Sequence, residues 1–89
     1  MSIEHFEEQI RIGRIEFDLL ERMAEAEQYG AASSMSWLTS IISKLEILID
    51  AGVVVRINTK NKVVYIDSLG GLKNFCRENF PDAARALYG

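Results

Sequence analysis

The first 28 residues carry apolar positions with the period of a helix. One stripe of apolar or small residues recurs at intervals of three and four: Ile3, Phe6, Ile10, Gly13, Phe17, Leu20 and Ala24. A second stripe runs through Ile12, Ile15, Leu19 and Met23. This spacing predicts one long helix from about Ile3 to Gln28 that Gly30 closes. Gly13 either breaks this helix or lets a partner backbone approach closely.

The segment after Gly30 is also helical in pattern, as far as Ala51. Its apolar side chains share one face: Trp37, Leu38, Ile41, Leu45 and Leu48. The opposite face holds serines, Lys44 and one exception, Ile47. We expect a serine among residues 33–36 to cap this helix and Gly52 to end it. Ile47 is expected to pack under the following segment or against the first helix, and the alternative is contact with a protein partner.

Two β-branched runs follow, at residues 53–57 and 62–66, and a short polar turn separates them. This arrangement predicts an antiparallel hairpin with basic side chains at its turn. Helical spacing returns from Leu69 to Phe80, until Pro81 ends or bends that helix. Residues 82–88 are expected to form a last short helical turn. The fold class is therefore α+β, in a single domain spanning residues 1–89: a long N-terminal helix, a second helix, a β-hairpin and a C-terminal helix.

The stretch from Thr39 to Ile66 resembles the second half of a bacterial winged-helix DNA-binding domain of the small transcription-regulator kind. The family motif consists of a leucine-rich helix end, a glycine, two apolar residues and a basic residue. The matching residues here are Leu45, Leu48, Gly52, Val53, Val54 and Arg56. The resemblance implies a winged-helix-like fold with residues 60–62 at the wing tip. The family also has a separate short helix before the recognition helix, for which residues 29–36 leave little space. Either that helix is reduced, or residues 24–34 are helical with a different break.

Composition and charge argue against a disordered, a membrane-spanning and a disulfide-bonded protein. With 48% hydrophobic and 26% charged residues, the chain has the composition of a globular domain rather than a disordered one. Its apolar runs fall far short of the roughly 20 residues that span a bilayer, and residues 1–8 carry no positive charge, so neither a membrane partner nor a secretory signal is expected. With one cysteine, Cys76, no internal disulfide can form. We expect a cytoplasmic protein.

The net charge of −3 is unevenly distributed. Residues 1–50 hold four basic and ten acidic side chains, whereas residues 51–89 hold six basic and three acidic ones. Contact with nucleic acid would therefore depend on a local patch in the second half, since affinity for DNA comes largely from phosphate neutralisation. The resemblance implies double-stranded DNA as the partner and the following contact residues: Ser40, Ser43, Lys44, Arg56, Lys60, Asn61 and Lys62.

The leading hypothesis is accordingly a small DNA-binding transcriptional regulator. The alternative is a non-enzymatic protein-interaction module, such as a phage- or plasmid-type modulator that binds a host protein through its acidic helix. The plainer alternative to DNA contact by these residues is that the serines form a solvated surface and the lysines protect a strand edge.

Two apolar stripes on one helix also suggest a homodimer. Small domains bury little surface, so a second stripe is well explained by pairing of first helices around Gly13. The predicted dimer interface comprises Ile3, Phe6, Ile10, Gly13, Phe17 and Leu20. The alternative is burial on both sides within one chain.

No constellation of catalytic or metal-binding residues is present. His5 is the single histidine and Cys76 lies far from it, which excludes a metal-ligand spacing and a Cys–His or Ser–His pair. The glycine pair at residues 70–71 lacks the rest of a phosphate-binding motif. We expect a protein that is not an enzyme and needs no cofactor and no metal.

Overall fold

A computed structural model describes residues 8–10, 13–15 and 17–89. These residues form an α+β fold of helices and one antiparallel β-hairpin, and residues 8–10 are helical. The elements are α1 (Phe17–Tyr29), α2 (Ala32–Asp50), β1 (Val55–Asn58), β2 (Val63–Ile66), α3 (Leu69–Asn79) and α4 (Pro81–Tyr88).

The chain does not continue as one helix through Gly13. Gly13 has a φ of +74°, and its N–H donates to the Ile10 carbonyl (2.8 Å) while the Arg14 N–H donates to the Gln9 carbonyl (2.7 Å). These two bonds form a Schellman motif, which ends the first helical stretch. The prediction of one helix over residues 3–28 is therefore wrong, and of the two roles considered for Gly13 the structure shows the helix break.

After this break the backbone runs alongside β1. The Arg56 N–H donates to the Gly13 carbonyl (3.0 Å), and the Ile15 N–H donates to the Arg56 carbonyl (2.9 Å). Ile15 and Ile57 form a parallel bridge. The backbone groups on one edge of β1 thus find partners in a segment whose sequence pattern is helical, and α1 begins only at Phe17.

A tight turn joins α1 to α2. Gly30 has a φ of +65°, and Ala31 occupies the N-cap position without a side-chain hydrogen bond. The predicted serine cap is therefore wrong: residues 33–36 lie inside the first turns of α2. The far end of α2 is as predicted, since the helix stops at Asp50 and Gly52 adopts a φ of +93°.

The hairpin pairs β1 with β2 in antiparallel register. Val55 lies opposite Ile66 and Ile57 opposite Val64 on the face that packs on the core. Arg56 lies opposite Tyr65 on the outer face. The antiparallel hairpin is as the sequence predicts, except that its first strand begins at Val55 rather than at residue 53.

The C-terminal region contains two helices. The Ser68 hydroxyl accepts a bond from the Gly71 N–H (3.0 Å) and caps α3. Pro81 ends α3 and occupies the start of α4, where its missing N–H has no intrahelical partner to lose. The predicted last turn is thus a complete helix of eight residues.

All these elements pack on one apolar core, and no buried residue in the described ranges is charged or polar. Its largest fully buried side chains are Phe80, Ile10, Ile15, Leu19, Met23, Leu38, Ile41, Ile42, Leu45, Ile57 and Leu72. Within residues 8–10, 13–15 and 17–89, no helix has both the length and the apolar character needed to cross a bilayer.

Candidate nucleic-acid interface

One face of α2 is turned away from the core. Its buried side chains, Leu38, Ile41, Ile42, Leu45 and Ile49, cover the core side. On the other side an exposed stripe of Ser36, Ser40, Lys44 and Ile47 runs along the helix at intervals of four, four and three residues. We call these four residues the α2 surface stripe. Ser43, beside it, is half-buried.

Ile47 occupies this surface rather than the interior. Its side chain is 64% exposed, so the expectation that it packs under the hairpin or against the first helix is wrong. The helical period explains the result. Leu45 and Ile49 flank Ile47 in sequence and point into the core, which directs position 47 outward.

The basic turn of the hairpin is exposed and held in shape by Thr59. The Thr59 N–H donates to the Lys62 carbonyl (2.8 Å), and the Thr59 hydroxyl accepts from the Lys62 N–H (3.1 Å). Arg56, Lys60, Asn61 and Lys62 are all exposed. The contact residues predicted on the hairpin are therefore presented together at its turn and on its outer face.

Sequence reasoning did not single out Thr59 or Tyr65. Thr59 fixes the lysine turn, and the signal for it is a hydroxyl three residues before Lys62, a spacing typical of side-chain-to-backbone turn bonds. Tyr65 is 65% exposed and lies opposite Arg56. Once the hairpin register is known, this pairing follows from the alternation of side chains along each strand.

Three of the residues predicted for a dimer interface, Ile10, Gly13 and Leu20, make contacts within the chain. Ile10 is fully buried in the core, and the Gly13 carbonyl bonds to β1. Leu20 is half-buried and packs against the core. Ile3, Phe6 and the Phe17 side chain lie outside the described residues. The specific expectation of paired helices running through Gly13 is wrong, because the helix ends there; homodimerisation itself stays a prediction.

Cys76, Tyr88 and Glu46 interact with one another where α2, α3 and α4 pack together. Cys76 is completely buried, and burial together with the nearby Glu46 carboxylate raises the pKa of its thiol to about 12. The Tyr88 hydroxyl donates to the Glu46 carboxylate, which joins α4 to α2. In the described part of the chain, His, Cys, Asp and Glu side chains form no group of three that could hold a metal ion.

Comparisons with protein-family models, with curated protein sequences and with solved structures found no match. Inferences about function therefore depend on the residues and geometry of this chain.

Proposed function

We propose that this chain is a winged-helix-like DNA-binding domain of a small transcriptional regulator, with α2 as its recognition helix and the hairpin as its wing. The observation that carries the proposal is the exposed, largely polar α2 surface stripe, followed directly in the chain by a hairpin whose turn displays Lys60, Asn61 and Lys62. A helix with one exposed face and a basic hairpin is suited to contact a groove and its flanking phosphates.

The order of elements supports this proposal. The break at Gly13 makes α1 a separate helix, and only Gly30 and Ala31 separate it from α2. Residues 29–36 are too few to form the helix that precedes the recognition helix in this family. In this chain α1 (Phe17–Tyr29) occupies that place in the order of elements. Helix, tight turn, helix and hairpin then follow one another as the resemblance implies.

The side chains suggest distinct roles. Ser40 is short and exposed, which lets the backbone of α2 come close to base edges, and Lys44 offers a positive charge for phosphate. Ile47 provides an apolar surface of the kind that contacts thymine methyl groups in the major groove. Arg56 and the lysines of the turn would then bind the backbone beside the groove.

Salt-dependent binding to duplex DNA tests the proposal. The purified protein is titrated into labelled random-sequence duplex at about 50 and 200 mM salt, and binding is expected to weaken steeply with salt. Lys60→Glu combined with Lys62→Glu is expected to weaken binding at low salt and to reduce the slope of log K against log salt by about 2, one for each lost phosphate contact.

A matched control keeps the net charge equal. Arg77→Glu combined with Arg85→Glu reverses two exposed charges on α3 and α4, which lie outside the hairpin in sequence. Equal losses in both double variants would contradict a role for the wing and indicate only general attraction. No binding of the unmodified protein at low salt would overturn the proposal and favour the protein-interaction module.

A further inference from the structure

Ile47 is the apolar member of the α2 surface stripe, whose other members are two serines and a lysine. Its side chain is 64% exposed, although a side chain of this size gains free energy when apolar surface covers it. A partner that covers the stripe therefore meets one apolar group among polar ones.

The charges around Ile47 indicate the chemistry of that partner. Residues 51–66, which follow α2, hold three basic side chains and no acidic one, and all three are exposed. This charge suits a polyanion, in agreement with the duplex DNA proposed above. On α2 itself Asp50 is exposed three residues beyond Ile47, and phosphate repels a carboxylate. This end of α2 is therefore suited to base edges rather than to the DNA backbone.

The types of side chain on α2 limit how it can read bases. The helix contains no arginine, asparagine or glutamine, so Lys44 is its one side chain of the types that form paired hydrogen bonds with a purine. Ile47 lies one turn further along the same face and has neither a donor nor an acceptor. The apolar group that the major groove presents is the C5 methyl of thymine.

The spacing along α2 suits several bases at once. Ser40, Lys44 and Ile47 follow one another at intervals of four and three residues, and Ser40 and Ile47 are roughly 10 Å apart along the helix axis. A helix lying along the groove thus spans about three base-pair steps between these two residues.

We propose that Ile47 reads the C5 methyl group of pyrimidines in the major groove, so that this chain prefers duplex DNA containing thymine or 5-methylcytosine. The inference rests on the DNA binding proposed above and adds the chemical feature of the bases that is recognised. Because Ile47 forms no hydrogen bond, its contact depends on the methyl group and is the same for both methylated bases.

Two duplexes that differ only in the methyl group test the inference. Alternating dA–dT and alternating dA–dU duplexes of equal length have the same charge and the same hydrogen-bonding groups. At about 50 mM salt the unmodified protein is expected to bind the dA–dT duplex about fourfold more tightly, the effect of burying one methyl group. Ile47→Ala is expected to bind the two duplexes equally, whereas Ile47→Val should keep most of the preference.

A second pair of probes and a matched control variant complete the test. In a duplex of mixed sequence, 5-methylcytosine in place of cytosine is expected to tighten binding by a similar factor, and Ile47→Ala should not respond to it. Leu69→Ala is the control, because it removes apolar surface from a residue that is 38% exposed at the start of α3, outside α2 and the hairpin in sequence. It should retain the preference of the unmodified protein.

The possible outcomes separate this inference from the proposed function. Equal binding of the dA–dT and dA–dU duplexes by the unmodified protein would overturn the inference and leave DNA binding in place. The same conclusion follows if the preference persists in Ile47→Ala or is lost equally in Leu69→Ala. No binding to any of these duplexes at low salt would overturn both proposals.

Discussion

At Gly13 the helical pattern of apolar residues continues, but the backbone leaves the helix. Its left-handed conformation is strained for any residue with a Cβ, and a Cβ built there would lie 3.3 Å from the Val54 carbonyl oxygen. We expect Gly13→Ala to lower the free energy of unfolding by about 1–2 kcal/mol, measured by urea denaturation.

A second glycine provides the control for this change. Gly70 lies in the first turn of α3, and a Cβ there would meet nothing within 4 Å. Gly70→Ala is expected to stabilise the protein by roughly 0.5 kcal/mol, because alanine loses less backbone entropy in a helix. Similar effects of the two substitutions would contradict the Schellman break at Gly13.

At the scale of elements, α4 depends on a carboxylate from α1. The Asp82 N–H donates to Glu27 Oε1, and the Ala83 N–H donates to Glu27 Oε2 (3.0 Å), so one side chain caps the first turn of α4. Glu27→Ala leaves both N–H groups without this partner and removes a negative charge from a helix N-terminus. We expect a loss of about 1–2 kcal/mol in the free energy of unfolding.

Glu25→Ala separates capping from the general effect of removing an acidic residue. Glu25 is exposed on the same helix, and such surface changes usually alter stability by no more than about 0.5 kcal/mol. Equal losses in the two variants would exclude a capping role for Glu27. In the sequence Glu27 looks like one more carboxylate of an acidic helix, since its partners lie more than fifty residues further along.

Local patterns account for what was predictable. The buried face of α2, the glycine at its end and the two strands of the hairpin each depend on residues close in sequence, and each is found as expected. The break before α1 was only one of two roles that the sequence allowed for Gly13. The apolar stripes of residues 3–24 continue through Gly13 without interruption. The hydrogen bonds that hold Ile15 beside β1 involve a strand far along the chain.

In the candidate site, too, the features that local patterns determine were predictable. The exposure of Ser40, Lys44 and the residues of the basic turn follows from helix and strand periodicity. The placement of Ile47 on the surface also follows from the helical period, but its apolar side chain suggested burial.

At the scale of the whole molecule, packing raises the pKa of two ionisable groups, one in the core and one against it. Burial, assisted by the Glu46 carboxylate, raises the pKa of the Cys76 thiol to about 12. Burial and the hydrogen bond to Glu46 also raise the pKa of Tyr88. In each case the folded state retains a proton that the unfolded chain releases at lower pH, so the stability they contribute is lost as the pH rises.

Cys76→Ala isolates the thiol part of this alkaline effect. The unfolded thiol ionises near its ordinary value of 9.0, whereas the folded thiol stays neutral up to about pH 12. Between about pH 8 and pH 10.5, the unmodified protein should therefore lose about 2 kcal/mol more free energy of unfolding than Cys76→Ala, by urea denaturation at each pH.

The test compares how the free energy of unfolding changes with pH in the two proteins, so a constant loss of packing energy does not affect it. Removing the sulfur leaves a small cavity, which lowers stability by a similar amount at every pH. Tyr88 remains in both proteins together with the two largest causes of its raised pKa, burial and the hydrogen bond to Glu46, so most of its alkaline contribution is common to them. Equal losses from the two proteins would mean that the thiol reaches solvent in the folded state, contrary to the complete burial of Cys76.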